Sequence, residues 1–151
     1  MSTDTRTFVL PQRDEWPPKE VSVNGTAQLI HELKLNYSVI QMQLEGLTHD
    51  DSLTPLPFRG NCLKWVLGHI VESRAGMLAT AGIEPLWDNE EYAAYGRDAE
   101  PITDGSRALH LDKIMDDLRR AQERLLAHLP ELTAQELERV ADGGDRTVYQ
   151  R

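Results

Sequence analysis

From Thr26 onward, apolar residues recur with a period near that of an α-helix. Leu29, Leu33, Tyr37, Ile40, Leu44 and Leu47 follow at spacings of 4, 4, 3, 4 and 3, which predicts one amphipathic helix ending near Gly46. A second seam, Leu63, Val66, Leu67, Ile70, Met77, Leu78 and Ala81, predicts a helix opened by Asn61 as N-cap and stopped by Gly82. A third, Leu111, Ile114, Leu118, Ala121, Leu125 and Leu129, predicts a helix from near Ser106 to just before Pro130. Thr48 to Asp51 and Thr133 to Glu136 each carry a capping pattern that opens a short turn, and Gly143-Gly144 breaks the second. No stretch alternates apolar and polar residues over strand length. The pattern predicts an all-α bundle with three long helices visible.

Between these elements the chain changes character. Pro11, Pro17 and Pro18 surround Trp16, which predicts an extended arm over residues 1–25 with Trp16 as its anchor, closed by a turn at Asn24-Gly25. The bundle domain then covers residues 26–151. Pro55 and Pro57 keep the first connection from being helical. The second connection, Gly82 to Gly105, carries a net charge of −6 interleaved with Trp87, Tyr92 and Tyr95. It predicts a solvated crossover pinned by its aromatics or, alternatively, a lid over a pocket.

Composition narrows the functional classes. A chain of 151 residues with 40% hydrophobic content suits one domain with a real core. Sixteen Lys and Arg against 25 Asp and Glu leave a net charge of −9, which argues against nucleic acid as a partner. The single cysteine excludes an intramolecular disulfide framework and suits a reducing compartment. The polar start MSTDTRT has no apolar region behind it, and no segment reads as a membrane span. A small acidic cytoplasmic protein is expected.

The second helix holds the candidate chemistry. Beside its apolar seam runs a second stripe, Cys62, Trp65, His69, Ser73, Gly76 and Thr80, of small or weakly polar residues where a surface would carry Lys and Glu. Such a stripe suits close helix approach or a lined cavity, and His69 lies in its middle. Cys62 is seven residues from His69, roughly 10.5 Å along the axis, beyond the ~4.5 Å that separates two ligands of one zinc. Glu72, at i+3, is near enough to be a ligand or a partner of the imidazole, although it points about 60° away and suits a surface position better. Arg74 falls on the apolar seam, as a snorkelling side chain, an ion-pair partner or an anion clamp. His31, His49, His110 and His128 form no H-x-x-x-H or H-E-x-x-H pair, and no nucleotide loop or nucleophile elbow is present.

The run Asn61-Cys62-Leu63-Lys64-Trp65-Val66-Leu67-Gly68-His69-Ile70 resembles the N-x-x-x-W-x-x-G-H stretch of the DinB/YfiT-like superfamily. Glu72-Ser73-Arg74, Glu84-Pro85-Leu86-Trp87, Tyr95-Gly96-Arg97 and Gln122-Glu123-Arg124-Leu125-Leu126 follow in the order that the resemblance requires. The resemblance implies an up-down four-helix bundle, often dimeric. It also implies a divalent metal (zinc, nickel or iron) held by three side chains, of which His69 is the one in this helix. Trp65 would wall the substrate pocket and Arg74 would hold an anionic group. Relatives of this kind include thiol-dependent S-transferases and isomerases that use low-molecular-weight thiols, and some are linked to stress or DNA-damage responses. Asp145-Arg146-Thr147-Val148 resembles the lead-in to a fourth helix that is missing or truncated here, and the two other ligands have no matching positions. The expectation is therefore a metal-dependent thiol transferase or hydrolase acting on a small molecule, or else a non-catalytic helical module. Exposed seams around an incomplete bundle further predict a homodimer.

Overall fold

The computed structural model describes residues 23–57, 60–84, 86–102 and 105–138. The predicted arm up to residue 22, the Gly143-Gly144 break and the lead-in at Asp145 to Val148 lie outside the described residues. Among the described residues four α-helices follow in order: α1 (Val23–Leu44), α2 (Leu63–Thr80), α3 (Leu111–His128) and α4 (Ala134–Glu138), with short 3-10 segments at Asp51–Leu53, Asn89–Tyr95, Gly105–Arg107 and Leu129–Glu131. The described residues contain no strand. No described helix is long and apolar enough to cross a membrane. The expected all-α class holds.

The predicted helix ends are the most accurate part of the sequence reading, and the predicted starts the least. Gly46 and Gly82 follow α1 and α2 in the left-handed region, at φ +79° and +78°, where a residue without Cβ closes a helix at least cost. The Thr48–Asp51 box forms as expected: the Thr48 amide and hydroxyl donate to the Asp51 carboxylate at 2.8 and 2.6 Å. Thr133 and Glu136 close the equivalent box, with the Thr133 amide donating to Glu136 Oε2 at 2.8 Å.

Three starts differ from expectation. Asn24-Gly25 makes no turn, because α1 already runs through both residues, and Gly25 is buried. Tertiary packing there overrides a glycine penalty of about 1 kcal/mol. Cys62, not Asn61, occupies the N-cap of α2, drawn under the connector with its Sγ 3.8 Å from the Ile102 carbonyl oxygen. The third helix begins at Leu111 rather than near Ser106, capped by His110, whose ring accepts from the Asp112 amide at 3.4 Å.

Chain direction follows from end contacts. Lys64 at the start of α2 meets His49, which also meets the Leu111 amide at the start of α3, and His128 at the end of α3 donates to the Ala81 carbonyl at the end of α2 at 3.1 Å. These two helices therefore run parallel, so the predicted up-down alternation holds from α1 to α2 and is then interrupted by the crossover between α2 and α3. Helix α1 is antiparallel to both: Leu44 shares a groove with Leu111 and Met115, and Ile30 shares another with Leu132 and Leu137.

The core is built from Leu67, Val71 and Leu78 of α2 against Ile114, Leu118, Ala121 and Leu125 of α3. Val66, predicted in the seam, is exposed, so the true seam is rotated towards Val71. From the connector, Trp87, Tyr92 and Tyr95 are buried in the same core, which favours the pinned crossover over a free lid. The Tyr92 hydroxyl donates to the buried Asp117 carboxylate at 2.8 Å, which also receives Lys113 at 2.7 Å and Arg120 at 3.2 Å. Burial and that hydrogen bond both hold the Tyr92 phenol well above its usual ionisation range.

Candidate functional site

The site begins with an absence. Gly68 presents no side chain to the connector, and a Cβ built there would lie 2.1 Å from Cδ1 of Tyr95. Only a glycine lets the Tyr95 ring come this close to α2 at this level. That close approach carries the Tyr95 backbone with it, and its carbonyl oxygen stands 2.9 Å from His69 Nδ1. A carbonyl only accepts, so Nδ1 carries the proton, and in the neutral imidazole the lone pair is then on Nε2. Trp65, one turn earlier, stacks on the imidazole with centroids 5.0 Å apart and planes 15° apart. Glu72 Oε2 lies 3.6 Å from Nδ1, on the protonated side of the ring.

Trp65, Gly68, His69, Glu72 and Tyr95 thus form one constellation on the connector-facing flank of α2. Sequence reasoning placed Trp65 and His69 there; it read Glu72 as a surface residue before a partner of the imidazole, and it missed Tyr95, whose backbone carbonyl meets the ring. Arg74 is not part of this group. Five residues separate it from His69, which sets it about 140° around the axis and ~7.5 Å along it. Arg74 is 6% exposed, its Nη1 meets Met77 Sδ at 3.2 Å, and its Nε has no partner among the described residues. Burial lowers the ionisation range of its guanidinium, and no carboxylate among the described residues pairs with it. The stripe of small residues also divides. Cys62 and Trp65 are covered, whereas Ser73 and Gly76 face outward.

The donor set was tested against a metal. His69 Nε2 is the free nitrogen of the constellation, Glu72 stands on the other side of the ring, and Cys62 is turned towards Ile102. Among the described residues no group of three His, Cys, Asp or Glu side chains could hold an ion. They supply one donor, and a three-ligand site needs two more from outside them.

A second polar cluster went unrecognised in the sequence. The Lys64 ammonium is fully buried at 2.5 and 2.9 Å from the two ring nitrogens of His49. His49 stacks on His110 with centroids 4.5 Å apart, and its Nδ1 also accepts from the Leu111 amide at 3.3 Å. Burial, then the Lys64 charge, push the His49 imidazole below its ordinary range, and burial likewise lowers Lys64. The signal was available: Lys64, Leu67, Val71 and Leu78 share one face of α2, so a lysine there had to be buried.

Comparison with known proteins supplies the family. The model of the DinB superfamily matches residues 32–150. No curated protein and no solved structure matches the chain significantly.

Proposed function

Since the chain belongs to the DinB superfamily, we propose that it is a divalent-metal-binding enzyme of the thiol S-transferase or hydrolase type, with His69 as one ligand. The observation that carries this reading is the hydrogen bond from His69 Nδ1 to the Tyr95 carbonyl, which fixes the tautomer that leaves Nε2 free to coordinate. A bound divalent ion would supply acidity to a coordinated thiol or water, making a nucleophile at neutral pH. The chain's own residues prepare the imidazole. The Tyr95 carbonyl orients it, Trp65 covers one of its faces against water, and Glu72 adds negative charge beside the donated proton. Two further ligands from outside the described residues complete this reading.

Trp65 is the proposed wall of the substrate pocket. Arg74, on the other flank, is proposed to bind an anionic group away from the imidazole, as its Nε, without a partner among the described residues, invites. The cytoplasm, where low-molecular-weight thiols stay reduced, suits such a cosubstrate. Metal analysis after reconstitution with zinc, nickel or iron tests the proposal: the wild type is expected to retain one equivalent and His69→Ala to lose it. Equal metal content in both proteins removes His69 from the site. Failure of the wild type to retain any of the three ions leaves a non-catalytic helical module in its place.

A further inference from the structure

A cleft of about 340 Å³ lies between α2 and the connector, in the size range of small-molecule sites. One wall is Glu72, Ala75, Gly76 and Ala79; the other is Trp87, Tyr92, Ala93 and Gly96. Among the described residues Glu72 is the one formally charged residue that lines it, and the same carboxylate approaches His69. The cleft therefore opens beside the imidazole. Trp87 gives it an aromatic edge, Tyr92 lies fully buried behind that edge with the ring centroids 5.5 Å apart, and the nine-tenths-buried Trp87 keeps an indole N–H with no acceptor among the described residues. Lys113, the one lysine of α3, is already neutralised by Glu91 at 3.0 Å and Asp117 at 2.7 Å. The segment that forms the aromatic edge belongs to the stretch with net charge −6. Field and shape agree: the walls suit a flat apolar body, and the charge suits a cation at its Glu72 end.

We infer that this cleft is a binding site for a small organic amine, an ammonium group on an aromatic or similarly flat body, held by Glu72 and the exposed edge of Trp87. The site does not depend on a metal at His69, and binding alone reads it. Three ligands of one size separate charge from shape: benzylammonium, benzyl alcohol and benzoate, titrated calorimetrically into the full chain at low ionic strength. Benzylammonium is expected to bind about tenfold more tightly than benzyl alcohol, with benzoate weakest, and the advantage shrinks with added salt. Glu72→Gln should bring benzylammonium to within about threefold of benzyl alcohol.

Gly76→Leu serves as a plug. Residue 76 lines the cleft, an added Cβ there meets nothing within 4 Å, and leucine is the better helix former, so the variant stays folded. It should abolish binding of all three ligands. Benzoate binding as tightly as benzylammonium, or unchanged benzylammonium binding in the folded Gly76→Leu protein, overturns the proposal.

Discussion

The two sides of the bundle are held in different ways. On one, the connector presses Tyr95 into the gap left by Gly68 and pins Tyr92 through a buried carboxylate. On the other, α1 lays a partly buried stripe on α3 and leaves Leu35, Val39 and Met42 at 53%, 43% and 67% exposure. Yet α1 has the cleaner heptad spacing, and the connector has none. Periodicity tells a helix where to turn its apolar face; it does not tell how closely a neighbour will come. Close approach is set by single residues, a missing Cβ or a buried hydroxyl–carboxylate pair, and these decide which flank carries a site.

The largest test of this contrast is Gly68→Ala. The new methyl would overlap the buried Tyr95 ring, so a loss of about 3 kcal/mol or more is expected, seen as a lower urea midpoint. Gly76→Ala, with open space around its Cβ, should instead gain about 0.5–1 kcal/mol from helix propensity. Equal effects at the two glycines would erase the distinction drawn for the connector side. Next comes Tyr92→Phe, which strips a hydrogen bond from Asp117 while Lys113 and Arg120 remain. A loss of about 1–3 kcal/mol by thermal or urea unfolding is expected.

A smaller, pH-dependent effect belongs to the junction of His49, Lys64 and His110. The folded state holds His49 below its ordinary value of 6.5, so around and below that pH the unfolded chain binds the extra proton. Stability is fully present above 6.5 and falls as pH drops through 6.5 towards the lowered value. Asp50 and Asp112 oppose the shift but do not reverse it. Unfolding midpoints between pH 8 and 5 should show this slope, and His49→Asn should flatten it.

The smallest effect on stability is expected on α1. Leu35→Glu with Met42→Glu alters exposed positions and should change monomer stability by no more than about 0.5 kcal/mol per site. If a second copy covers this stripe, as we propose for a homodimer, sedimentation of the double variant will show half the wild-type mass. A wild type that already sediments as a monomer ends that proposal.

Much of the fold was legible because helices obey local rules. The three stripes, the stops at Gly46 and Gly82 and the two Thr–acid boxes depend on neighbours within a few residues. The late start of α3 at Leu111 was not legible, because it depends on Tyr95, whose hydroxyl accepts the Leu109 amide proton at 2.7 Å from 14 residues away. The parallel course of α2 and α3 likewise follows from where the crossover packs rather than from its composition. Of the candidate site, His69 and Trp65 were visible through the family resemblance, whereas the reason for Gly68 between them emerged only from the ring opposite. His49 looked incidental at the end of a turn, since its partners, Lys64 and His110, lie 15 and 61 residues further on.

Tyr95 touches three things at once: its ring lies on Gly68, its hydroxyl meets the approach to α3, and its carbonyl meets His69. One rigid amino acid therefore works as a lever between a helix entrance and an imidazole. A substitution that unseats Tyr95 therefore loosens the entrance to α3 and the hold on the His69 imidazole together.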